Sequence, residues 1–144
     1  MMTTISRRMR ALALLAPLAL AALLAGCADA TVDAEPLQGA WVLTSGADAR
    51  GAFIDAASPI TLEVEGRDFS GRSPCNSYSG TLDASAGGLG LGSFATTEAA
   101  CADPEQMELE GRYYAALGEV VRAERSSGEL VLTGPGVELV FAAD

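Results

Sequence analysis

The chain has 144 residues and no histidine, and each of its nine basic residues is an arginine. Without imidazole, Ser-His-Asp and Cys-His mechanisms are excluded, as are the usual zinc sites. Four Phe, three Tyr and one Trp leave little material for a stacking platform. Three cysteines are present, none in a C-x-x-C spacing that would activate a thiol. Positive charge is scarce and unevenly placed: Arg7, Arg8 and Arg10 stand at the start, and no acid precedes Cys27. From Cys27 onward six arginines face 19 acids, a net charge of −13. No basic stripe exists to neutralise phosphates, so nucleic acid is not an expected partner. An anionic bilayer would repel this part of the chain. An enzyme would have to work with carboxylates alone, or with a metal held only by oxygen. We expect no enzyme activity, no cofactor and no metal.

What is present begins with an address. The three arginines are followed by an apolar run from Ala11 to Leu24 broken only by Pro17, then by the small residues Ala25 and Gly26. This is the zoning of an export signal. The run is shorter than the ~20 apolar residues a spanning helix needs. Leu24-Ala25-Gly26-Cys27 resembles the bacterial lipoprotein box. The resemblance implies cleavage before Cys27, with acyl chains on its thiol and on the new amino terminus. The chain then divides into a signal peptide over 1–26, an acidic tether over 27–36 and a domain over 37–144. It would sit in the bacterial cell envelope, outside the cytoplasm, meeting the membrane through the lipid on Cys27.

Past the tether, alternation of apolar and polar residues dominates. Trp41 and Leu43 share a strand face, and Ser45 to Ser58 reads as a loop with a short strand near Phe53. Ile60, Leu62 and Val64 alternate with Thr61, Glu63 and Glu65, and Gly66-Arg67-Asp68 turns the chain into Phe69-Ser70-Gly71. Cys75 to Leu82 reads as a strand, Ala84 to Gly88 as a turn, and Leu89-Gly90-Leu91-Gly92 as a strand closely approached by another backbone. One helix is predicted. Asp103 caps it, Pro104 occupies its first position and Gln106 completes a capping box. Met107, Tyr113, Tyr114 and Leu117 form its apolar stripe with Glu110 at the edge, and Gly118 ends it. Glu119–Arg125, Glu129–Thr133 and Val137–Phe141 close the chain as strands. Seven or eight short strands joined by tight turns, with a single helix, indicate an α+β fold dominated by antiparallel pairing.

The export signal sets the reading of the remaining thiols. In an oxidising compartment Cys75 and Cys101 pair, closing a loop worth about 3 to 4 kcal/mol in the chain-entropy model. Several stretches then match a family. Gly39-Ala40-Trp41-Val42-Leu43, Phe69-Ser70-Gly71, Cys75-Asn76-Ser77-Tyr78-Ser79-Gly80, the Thr97-to-Cys101 segment and the helix around Tyr113 are similar to the ordered motifs of the META domain, the HslJ-like heat-shock lipoprotein family. Pro74 stands where the family has glycine, and Ala99 or Ala100 fills the place of a methionine. The resemblance implies a partly closed, barrel-like antiparallel sheet with the helix packed against it, and an envelope role tied to stress tolerance. It supplies no catalytic residues.

Asn76 is the most tempting polar binding position, although an Asn beside such a turn ordinarily bonds the turn itself. Three functions are open. The first is a non-enzymatic module binding an envelope protein or peptide. The second is a carrier of a small hydrophobic ligand. The third is a carboxylate-dependent hydrolase using Glu110 and Asp68, which requires two acids in one cleft and one raised pKa. A groove between helix and sheet would favour binding.

Overall fold

The computed structural model describes residues 34–83 and 88–144. The signal segment, Cys27 and the tether as far as residue 33 lie outside the described residues, as does most of the turn predicted at 84–88. The domain starts slightly earlier than the sequence indicates. Glu35–Leu37 forms a 3-10 turn with Leu37 buried, and the Trp41 indole N–H donates to the Leu37 carbonyl at 2.7 Å. Ala34 to Pro36 therefore belong to the fold and not to the tether.

Among the described residues nine strands form one antiparallel sheet: β1 (Gly39–Asp48), β2 (Gly51–Ala52), β3 (Thr61–Glu65), β4 (Asp68–Arg72), β5 (Ser77–Thr81), β6 (Phe94–Thr96), β7 (Arg122–Ser126), β8 (Glu129–Gly134) and β9 (Val137–Ala143). Their order is β6-β5-β4-β3-β1-β9-β8-β7, with β2 paired to the far end of β1. The sheet curls around a core to which Trp41, Leu62, Phe69, Leu130, Leu139 and Phe141 contribute from the strands. The helix α1 (Pro104–Glu119) adds Leu109, Tyr113 and Leu117. The curl is nearly completed by the segment after residue 87: Asp83 and Gly90 form an isolated bridge, and the Leu89 N–H reaches the Val121 carbonyl ahead of β7.

The alternation of β3 and β4 holds: Leu62, Val64 and Phe69 are buried and their neighbours exposed or half-buried. Gly71 on β4 has a concrete reason to be glycine, since a Cβ there would run into the Thr61 carbonyl and the Tyr78 hydroxyl. Five points differ from expectation. Ser45–Asp48 is strand, not loop, because β9 pairs along it after a bulge between Leu43 and Ser45. Leu89–Gly92 is not a strand, although Gly88 and Gly92 do sit against Val121 and Gly118 as close approach demands. Gln106 does not close a capping box: Asp103 caps the Glu105 N–H alone, and the Gln106 amide turns inward to another loop. Met107 is exposed, since the buried stripe is set by Gln106, Leu109, Glu110, Tyr113 and Leu117, one helical step away. Gly118 does not end α1, which runs on until Val120 turns extended at ψ 128° and buries its side chain.

Candidate functional site

Four of the residues singled out by sequence, Cys75, Asn76, Cys101 and Glu110, meet at one place. β4 and β5 are joined by a turn, Ser73 to Asn76, closed by the Ser73 N–H on the Asn76 carbonyl at 2.8 Å. The Cys75–Cys101 disulfide, with Cα atoms 5.4 Å apart, ties that turn to the chain entering α1. Glu110 projects into the turn from α1 and is 5% exposed. Its carboxylate accepts the N–H groups of Cys75 and Asn76, both at 2.9 Å, the Asn76 side-chain amide at 2.7 Å and the Ser73 hydroxyl. Burial pushes the Glu110 pKa up, but these four donors together outweigh it and hold the group below the usual carboxylate range. Ser73 is further engaged by the Tyr114 hydroxyl at 2.7 Å.

Asn76 completes the closure. Its Nδ2 donates to Glu110 and to the Ala99 carbonyl, and its Oδ1 accepts from the Ala99 N–H and the Thr97 hydroxyl. Every polar atom of the side chain is spent on protein partners, so the structure gives Asn76 a scaffolding place and no vacancy for a ligand. The carboxylate pair is not assembled either. Asp68 is exposed at the start of β4 beside Thr81, while Glu110 reaches Ser73 just past its other end, roughly 16 Å along an extended strand. Glu110 also has the wrong sign of shift for a general acid at neutral pH. Among the described residues no group of three or more acids or cysteines could hold a metal ion.

A second place, which motif reading missed, is open. Between β1, the 53–60 loop and α1 lies a cleft of about 580 Å³, lined by Val42, Leu43, Gly46, Phe53, Ile54 and Leu109 among others. This lies within the ~300–1,000 Å³ range of ligand sites. Its outer wall is held off the sheet by α1. The Gln106 amide, 8% exposed, accepts the Ala57 N–H at 2.8 Å and donates to the Asp55 carbonyl at 3.2 Å. Arg112 grips the β1–β2 hairpin through both oxygens of Asp48, at 2.6 and 2.8 Å, and through the Gly51 carbonyl. The hydrogen bond from Arg112 lowers the Asp48 pKa to about 2 against a smaller opposing effect of burial. The same guanidinium lies 4.7 Å over the Phe53 ring, and Phe53 packs where a Gly46 side chain would otherwise stand. Ile54 is 46% exposed at the mouth. The only hint in the sequence was Phe53-Ile54, two large apolar residues inside a stretch of small and polar ones.

Taken with the Trp41 strand, the Gly71 contact and the disulfide-bonded turn, this architecture defines an antiparallel β domain with one α-helix among the described residues, built on motif positions. The family model of the META domain matches residues 34–144, and the chain belongs to that family. Among solved structures it is similar to a protein from Burkholderia xenovorans determined by NMR, at 26% identity and a TM-score of 0.61, covering 97% of this chain and 99% of that one. A second NMR structure is similar at 25% identity and a TM-score of 0.57, covering 78% of this chain and 95% of the other. A search of curated proteins found no match.

Proposed function

We propose that this protein is a lipid-anchored lipoprotein of the bacterial cell envelope whose META domain is a non-catalytic module binding a protein or peptide partner, in the setting of envelope stress tolerance. The observation that carries the binding reading is the cleft between β1, the 53–60 loop and α1, which is open, of mixed lining with a cluster of large apolar side chains, and braced by part-buried polar ties. The acid-rich composition, the absence of histidine and the committed state of Glu110 and Asn76 leave the motif centre as scaffold. Lipid anchoring is supported by the zoned segment ending at Cys27. The test is site-specific photo-cross-linking in intact cells, with p-benzoylphenylalanine placed at Ile54 or, as a control, at Met107 on the exposed side of α1. The module reading expects a discrete adduct from Ile54 alone, abolished by Ala57→Trp. Identical patterns from both positions would count against it.

A further inference from the structure

The course of β1 along the cleft allows the occupant to be specified, on the assumption that the cleft is the binding site of the module. On this side β1 is paired with β3 over Gly39–Val42 and with β2 over Ala47–Asp48. Between these, no strand pairs with it among the described residues. The 53–60 loop touches β1 at the two ends of the gap, through the Leu43 N–H on the Ile60 carbonyl at 2.9 Å and the Phe53 N–H on the Gly46 carbonyl at 2.7 Å. It cannot fill the middle. Its Asp55 carbonyl and Ala57 N–H are taken by Gln106 of α1, and Pro59 has no N–H to give. The β1 bulge between Leu43 and Ser45 falls inside this gap. A sheet edge left open in a folded domain is a template for an added strand. The gap from Leu43 to Gly46 is roughly 10 Å long, the length of three extended residues.

The side chains and charge narrow the class. Leu43, Phe53 and Leu109 offer apolar contact, and Asp55 is the only ionisable residue among those lining the cleft. The two nearby arginines are already committed, Arg112 to Asp48 and Arg50 to Glu108. Over residues 34–144, 17 acids stand against six arginines, so the approach field favours a cation. We infer that the cleft takes a short extended peptide segment that pairs with β1 across Leu43–Gly46, places an apolar side chain against Leu109 and Phe53, and sets a basic residue at Asp55.

The probe is fluorescein-labelled Val-Arg-Val-Arg-Val, read by anisotropy on the domain, beside Val-Glu-Val-Glu-Val and a Val-Arg-Val-Arg-Val whose three inner amides are methylated. Loss of about two strand hydrogen bonds on methylation weakens binding by roughly tenfold or more. Asp55→Asn weakens the basic peptide by about two- to fivefold, the scale of an exposed ion pair, and leaves the acidic peptide unaffected. Ala57→Trp, at an exposed loop position, removes binding while the far-ultraviolet circular dichroism and the melting temperature stay at wild-type values. Equal affinity for basic and acidic peptides overturns the charge assignment, and full binding of the methylated peptide overturns the strand pairing. If no peptide binds while Ile54 still cross-links a partner specifically, the peptide class falls and the module reading stands. If neither occurs, both fall.

Discussion

Glu110 shows what a single residue contributes here. A carboxylate at 5% exposure would ordinarily be costly, yet its four donors come from one turn and include two consecutive backbone N–H groups. Glu110→Gln keeps the shape but replaces one acceptor oxygen with a donor facing N–H groups, so it should lower stability by about 2–3 kcal/mol in urea denaturation. The pH dependence has a definite sign. Because the folded pKa lies below the unfolded one, the stabilisation from Glu110 is complete above the unfolded carboxylate pKa of ~4.3 and is lost as pH falls through the folded value. Wild type should lose stability steeply below about pH 4.5, and Glu110→Gln should show a shallower loss over the same window. Parallel curves would show that Glu110 is not the titrating group. The sequence put Glu110 only at the edge of the helical stripe, whereas it stands within the buried face between Gln106, Leu109 and Tyr113. Its partner was hidden, because Ser73–Asn76 meets it across 34 to 37 residues of chain and no local pattern encodes that distance.

Between elements, one feature binds β4–β5 to the entry of α1 and another binds the β1–β2 hairpin to its face. The first is the Cys75–Cys101 disulfide together with the Asn76 bonds to Thr97 and Ala99. These two ties are redundant in what they join. Replacing both cysteines by serine should cost about 3 to 4 kcal/mol without loss of the native spectrum, because Asn76 still fixes the segment. Asn76→Ala should then cost more in the cysteine-free background than in the disulfide-bonded one, and a strictly additive double-mutant cycle would refute the redundancy. The second is Arg112. Arg112→Ala removes the Asp48 pair, the Gly51 carbonyl contact and the cover over Phe53 together. Its expected signature is local: amide exchange at Phe53 and Ala57 should accelerate by at least tenfold while β8–β9 amides are unchanged. The hairpins of this sheet were legible because alternation and tight turns are local. The extension of β1 and the inward turn of Gln106 were not, since both depend on what lies opposite: β9 for one, the Asp55–Ala57 backbone for the other.

At the scale of the whole molecule, charge and helix length bear on how the domain could meet a membrane. The part beginning at Cys27 carries a net charge of −13, which opposes contact with an anionic bilayer. Among the described residues no helix is long and apolar enough to cross a membrane. In the lipid-anchor reading the hold on the bilayer comes from acyl chains on Cys27, at ~0.8 kcal/mol per buried methylene and with two or more chains needed for a stable hold. From Cys27 to Ala34, the first described residue, a fully extended connection could span at most about 25 Å. The β1–α1 cleft would then face partners within the envelope close to the anchoring bilayer. Cys27→Ser separates anchoring from folding. The variant should leave the membrane fraction for the soluble one, with the Cys75–Cys101 disulfide formed and the melting temperature of the domain unchanged, because among the described residues no fully buried core residue lies ahead of Leu37. Fractionation of processed Cys27→Ser with the membrane would sink the lipid-anchor reading. Release with a lowered melting temperature would instead show that the leading segment packs on the domain.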